Sequence, residues 1–162
     1  MALAARSTQE YQPGGLKISL VVESGTTIFD GALVGVAKSG GGGSDGYVTN
    51  WTDGTDSLIF IGIARITDQN SGTGTGDSVT GDGTLEIECD ISGPILKNAT
   101  VTGLDNVNDV MDPVYASDSN TLTLTATTGS NEIGFVTRYS GTSGTGDVHL
   151  FPFTAFASHL IS

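Results

Sequence analysis

An all-β fold, a small compact antiparallel β-barrel or sandwich with glycine-rich loops and at most one short helix, is predicted by three features of this 162-residue chain. Glycine stands at 24 and only 15% of residues are charged, so the long charged residues that favour helices are scarce. The run "LEIECDI" (85–91) alternates strictly, with Leu85, Ile87, Cys89 and Ile91 on one side and Glu86, Glu88 and Asp90 on the other. That period of two belongs to a half-buried antiparallel strand. The remaining apolar segments are short and separated by Gly/Ser/Thr/Asp clusters that read as turns.

Taken in chain order, residues 1–15 form an N-terminal arm that ends in Pro13-Gly14-Gly15 and lacks periodicity. Leu3 and Tyr11 are its anchors if it orders on a partner. Residues 16–162 read as a single β domain. "LKISLVVES" (16–24) sets Leu16, Ile18 and Leu20 on one face, and "ALVGVAKS" (32–39) is a compact apolar strand. "GGGGSDG" (40–46) is a flexible loop by composition. "YVTNW" (47–51) leads through a turn into "SLIFIGIARIT" (57–67), the strongest apolar run. "NSGTGTGDSVTGDGT" (70–84) reads as a glycine-rich hairpin or loop. "LKNATVTGLDNVNDVMD" (96–112) carries the one helical reading, a single turn near 104–111. "PVYAS", "TLTLTA", "NEIGFVTRY" and "DVHLFPF" complete the strands, and Pro113 opens the first of them, where its missing N–H is tolerated.

The chain also echoes itself. "IGIARITDQNSGTGTGDSV" (61–79) is matched by "IGFVTRYSGTSGTGDVHL" (133–150), and "GALVGVAKS" precedes the first much as "MDPVYASDS" precedes the second. The pattern predicts a duplicated β-unit.

Eighteen acidic residues face six basic ones, a net charge of −12. Such a chain repels a phosphate backbone and an anionic membrane surface, so neither nucleic acid nor membrane is an expected partner. No apolar run reaches the length of a membrane span, and the opening residues lack the basic start of a secretory signal. A single cysteine excludes an internal disulfide framework.

Catalytic chemistry finds little to work with. Cys89 falls on the apolar side of its strand, where a free thiol behaves as a small hydrophobe. His149 alternates with Val148 and Leu150 and is expected at solvent or a subunit contact; His159 lies in an apolar tail. "GTGTGD" (72–77) lacks the Lys-Ser/Thr of a phosphate loop. Asp53, Asp56, Asp77 and Asp82 follow no calcium-loop spacing. The expectation is a protein that is not an enzyme and uses no cofactor or metal.

Residues 108–153, "NDVMDPVYASDSNTLTLTATTGSNEIGFVTRYSGTSGTGDVHLFPF", resemble the end of small tailed-phage head decoration, or capsid cement, proteins. In those, a "GDPVY" strand is followed by a turn, an "LT" strand, an "IG" strand with two apolar residues, and a final strand. The matching residues are Asp112, Pro113, Val114, Tyr115, Leu122, Thr123, Ile133, Gly134, Phe135, Val136, Asp147 and Val148. "QPGG" and "IFDGALVGVA" are similar to the opening of the same group. Met111 departs from the pattern, since the family usually has glycine there, and the stretch around 68–105 is an insertion.

The resemblance implies a β-tulip-like fold and a structural virion protein, made in the host cytoplasm and carried on the outer surface of the capsid. It would clamp neighbouring major capsid subunits as a homotrimer, or as a dimer, through an arm that includes Leu3, Arg6, Tyr11, Pro13 and Leu16. Phe151, Phe153 and Phe156 are expected in the core or between subunits. The rival reading is a carbohydrate-binding, adhesin-type β domain of a virion surface structure, with Trp51, Tyr47, Tyr115 and Tyr139 as the candidate stacking residues.

Overall fold

The computed structural model describes residues 10–12, 15–37, 45–52, 58–66, 78–127 and 131–151. They are nearly all β. The strands are β1 (Glu10–Gln12), β2 (Lys17–Val21), β3 (Thr27–Phe29), β4 (Leu33–Ala37), β5 (Val48–Asn50), β6 (Leu58–Arg65) and β7 (Ser78–Thr80). β8 (Glu86–Asp90), β9 (Ile95–Thr102), β10 (Pro113–Ala116), β11 (Leu122–Thr123), β12 (Glu132–Tyr139) and β13 (Thr145–Leu150) follow. The one helical element among the described residues is a 3-10 turn, Val107–Asp109, inside the span where a single turn was expected. Asn106 and Asp109 cap it reciprocally, so the short turn holds without burying any of its own residues.

The carboxy-terminal half closes on itself. β9 pairs with β13, β13 with β12, β12 with β10, β10 with β11, and β11 returns to β9 in parallel, giving a small five-stranded barrel. Closure leaves few free edges, which suits a small β domain. The amino-terminal half repeats the arrangement in the order β2-β8-β6-β4-β5. An isolated parallel bridge, Val22↔Val48, joins its two outer strands, and the Glu23 N–H donates to the Val48 carbonyl at 3.0 Å.

The equivalence of the halves extends to single residues. Val34 faces Gly62 as Val114 faces Gly134, and in both pairs the register slips at the next residue of the shorter strand. Ile91 N–H donates to the Leu16 carbonyl as Leu150 N–H does to Pro94. Val22 N–H donates to Leu85 as Val101 N–H does to Gly144. The duplicated unit predicted from the sequence is therefore present, but its last strand was misassigned. "DSV" (77–79) does not take the place of "DVHL"; β7 pairs with β3 in a separate ribbon, Ile28↔Val79, and β8 is the counterpart of β13. Residues 78–80, within the stretch that reads as a hairpin or loop, are that added strand.

The span 96–112 also needs correction. Its first residues form β9, bonded along both edges. The alternation is broken at Asn98, which has φ 50, so Leu96, Ala99 and Val101 all point inward although they are not evenly spaced. A bulge of this kind hides a strand from a search for period two.

Two clusters of buried apolar side chains result. Val22, Ile28, Val34, Val48, Ala64, Ile87 and Cys89 fill the first barrel. Leu33, Trp51, Leu58, Phe60 and Ile63 belong instead to the second cluster, with Leu96, Val101, Val114, Ile133, Val136 and Leu150. β4 and β6 thus bury both faces, one into their own barrel and one against the other. This is why "LIFIGIA" (58–64) runs apolar without alternation.

Candidate interaction surface

The junction between barrels is built by the turn after β10. Ser117 N–H donates to the Thr121 carbonyl at 3.1 Å, and the Asp118 carboxylate accepts from the backbone N–H groups of Asn120 and Thr121, both at 2.9 Å. The turn so fixed presents the buried Ser119, whose carbonyl accepts from Leu33 N–H at 3.0 Å, while Asp118 bridges to Thr52. Trp51 completes the contact. It is 1% exposed, its Nε1–H donates to the Ala116 carbonyl at 2.9 Å, and its ring meets Phe60 edge-on at 5.4 Å. Trp51 therefore offers no face to a sugar. Tyr47, Tyr115 and Tyr139 are each half-buried.

A second polar cluster pins the bulges of β9 and β12, both of which lie against Asp147 of β13. Asp147, 4% exposed, accepts from Arg138 Nε at 2.9 Å and Nη2 at 3.0 Å, from Lys97 Nζ at 3.1 Å, and from the Asn98 backbone N–H at 3.0 Å. Arg138 Nη2 also donates to the Asn98 side-chain carbonyl at 3.0 Å. The Arg138 hydrogen bonds, with those of Asn98 and Lys97, outweigh burial and hold the Asp147 carboxyl well below the usual carboxylate range. With both oxygens occupied, this carboxylate is a structural tie.

The remaining titratable candidates are similarly committed. Burial pushes the Cys89 thiol up to about 12, which keeps it protonated and unsuited to nucleophilic attack. Asp82 accepts from Thr84 Oγ1, Thr84 N–H and Leu85 N–H, and these bonds lower its pKa. Half-buried His149 meets Phe135 edge-on at 5.3 Å, and Phe135 stacks on Phe151 at 6.0 Å. Among the described residues no three His, Cys, Asp or Glu side chains are grouped to hold a metal ion. No helix among them is long and apolar enough to cross a membrane. Asp53, Asp56, Asp77 and His159 lie outside the described residues.

Of the arm residues singled out from the sequence, Leu3, Arg6 and Pro13 lie outside the described residues, as do Phe153 and Phe156. Tyr11 sits in β1, which pairs antiparallel with β9 in the register Glu10↔Lys97, Tyr11↔Leu96, Gln12↔Ile95. Three arm residues thus form an edge strand on the chain's own second barrel. Leu16 is 57% exposed. Phe151 is half-buried, held by its N–H to the Ile133 carbonyl at 2.9 Å. Sequence reasoning missed Val107 and Met111, large apolar residues that are 68% and 67% exposed. The substitution of Met111 for the glycine of the resembled pattern was the available signal.

No family model, curated protein or solved structure matches the chain.

Proposed function

We propose that the protein is a structural virion protein that binds the outer surface of a phage capsid and stabilises the head by clamping neighbouring major capsid subunits, acting as a homotrimer. The observation that carries this reading is the resemblance of residues 108–153 to head decoration proteins. Its motif residues, apart from Asp112 just ahead of β10, fall in β10, β11, β12 and β13 and thus belong to one barrel rather than to scattered loops. Three further features support it. The net charge of −12 resists non-specific aggregation of the free protein in solution. β1 pairs along the edge of β9 in the same chain, so strand addition at a barrel edge is a pairing mode that this fold accepts. Exposed Leu16, Val107 and Met111 give apolar contact points. Many copies on one lattice turn modest contacts into firm attachment.

The test is to add the purified protein to heads that lack it. Saturable co-sedimentation, together with resistance to rupture at raised temperature or osmotic shock, is the expected result. Absence of binding, or unchanged robustness of the loaded heads, overturns the reading.

A further inference from the structure

The two barrels begin with equivalent strands, β2 and β9, and among the described residues only β9 has its outer edge filled. In an antiparallel pair, alternate residues direct both backbone groups to the same neighbour. The bonds Ile91 N–H to Leu16 and Val22 N–H to Leu85, with Ile18↔Cys89 and Leu20↔Ile87 between them, turn Leu16, Ile18, Leu20 and Val22 toward β8. Lys17 and Ser19 consequently direct their N–H and C=O groups to the opposite edge. On β9 the same logic turns Leu96 toward β13 and leaves Ile95 and Lys97 facing outward, and there β1 pairs with them through Gln12 and Glu10.

Lys17 faces Asp90 as Ile95 faces His149, and Ile18 faces Cys89 as Leu96 faces Val148, so the two outward pairs correspond. Among the described residues nothing pairs with the outer edge of β2 before the Val22↔Val48 bridge, and Lys17 and Ser19 are exposed. Among the described residues one arm strand stands against two equivalent edges. An arm from a second copy would have to leave its own β9 to reach β2, exchanging one pairing for another without gain.

We propose that the outer edge of β2, at Lys17–Ser19, accepts an extended strand from a different protein chain, which pairs there as β1 pairs on β9. The inference rests on the capsid-binding reading and names its partner segment: an extended stretch of the capsid subunit with Lys or Arg at the outward-facing position opposite Ser19. The charge preference follows from β8, which sets Glu86 and Glu88 beside Val21 and Ser19, with Lys17 already paired to Glu88 at 3.1 Å.

Hydrogen exchange, read by mass spectrometry on the β2 peptide of the intact protein, tests this with and without heads. The Lys17 and Ser19 amides should exchange as open amides in the free protein and at least about 10-fold more slowly on heads. Ser19→Pro removes one outward N–H and leaves the bonds to β8, so it should weaken head binding at least about 10-fold, while Ser19→Ala binds as wild type. Wild type that does not bind heads overturns the capsid reading and this inference with it. Binding with the β2 amides still open, or undiminished binding by folded Ser19→Pro, overturns the inference alone. If Ser19→Pro does not fold, the exchange result on wild type decides. Protection that rises with protein concentration in the absence of heads would assign the edge to self-association instead.

Discussion

Gly31 and Met111 occupy the same place in the two barrels. Their φ angles are 80 and 79, and each donates its N–H across the strand, to the Ala64 carbonyl at 3.0 Å and the Val136 carbonyl at 2.8 Å. The returning bonds correspond as well, from Ala64 N–H to Ala32 at 2.9 Å and from Val136 N–H to Asp112 at 3.1 Å. A methionine therefore holds a left-handed conformation that costs an L-residue roughly 1–2 kcal/mol and glycine almost nothing.

Met111→Gly should accordingly stabilise the fold. The relief is partly offset by the greater freedom of glycine in the unfolded chain, leaving a net gain of up to about 1 kcal/mol. Chemical denaturation measures it, and a loss of stability in Met111→Gly would contradict the assignment. Since Met111 is also 67% exposed, its side chain contributes little to the core that could mask the effect.

Gly62 and Gly134 should tolerate no side chain. A Cβ on Gly62 would run into the Asp90 carbonyl oxygen, and one on Gly134 into the equivalent His149 carbonyl oxygen. Both obstacles are backbone in a paired strand, so relief requires the barrel to open. Gly62→Ala and Gly134→Ala should each destabilise by about 2–3 kcal/mol, the range of core overpacking, as read from the denaturation midpoint. A change below about 0.5 kcal/mol in either would show that the strands are spaced more widely than described.

Much of this architecture was legible in the sequence, and the misses have physical causes. Strict alternation located β8, and uniform apolarity located β6, whose two faces are both buried. The Ile-Gly pair of the internal echo marks a true equivalence, because both glycines are required by the same close backbone approach. The echo failed downstream, where composition alone matched two Gly/Thr-rich runs, one followed in the chain by β7 and the other by β13. β9 escaped notice because Asn98 shifts its phase, and Asn98 is held by Asp147, almost 50 residues away, which no local window includes. The candidate surface was less legible still. An open edge on β2 depends on which strands lie beside it, a property of topology and not of residues 17–21 themselves.

Asp147 makes stability depend on pH in a defined direction. Its folded pKa lies below the unfolded value of about 3.9, so its contribution is complete above that value and fades as pH falls below about 4. Wild-type stability should decline on acidification below about pH 4, and Asp147→Asn should flatten that part of the profile. The substitution leaves Arg138 and Lys97 without their shared acceptor and should cost about 2 kcal/mol at neutral pH. Parallel acid profiles for the two proteins would contradict the role given to this carboxylate.

Trp51 is the one tryptophan in the chain and reports on the junction between barrels. Native emission should be blue-shifted and poorly quenched by iodide. Trp51→Phe should destabilise by about 2–3 kcal/mol, since it loses the Nε1–H bond to the buried Ala116 carbonyl and shrinks a side chain that is 1% exposed. Solvent-like emission from the folded protein would mean that the barrels do not pack through this ring.

The proposed seat on the outside of a phage head is decided by cryo-electron microscopy of purified particles of a phage that carries this gene. Density for the two-barrel unit is expected at fixed sites on the outer capsid surface, touching more than one major capsid subunit. Its location elsewhere in the particle, or its absence from purified virions, would contradict that claim.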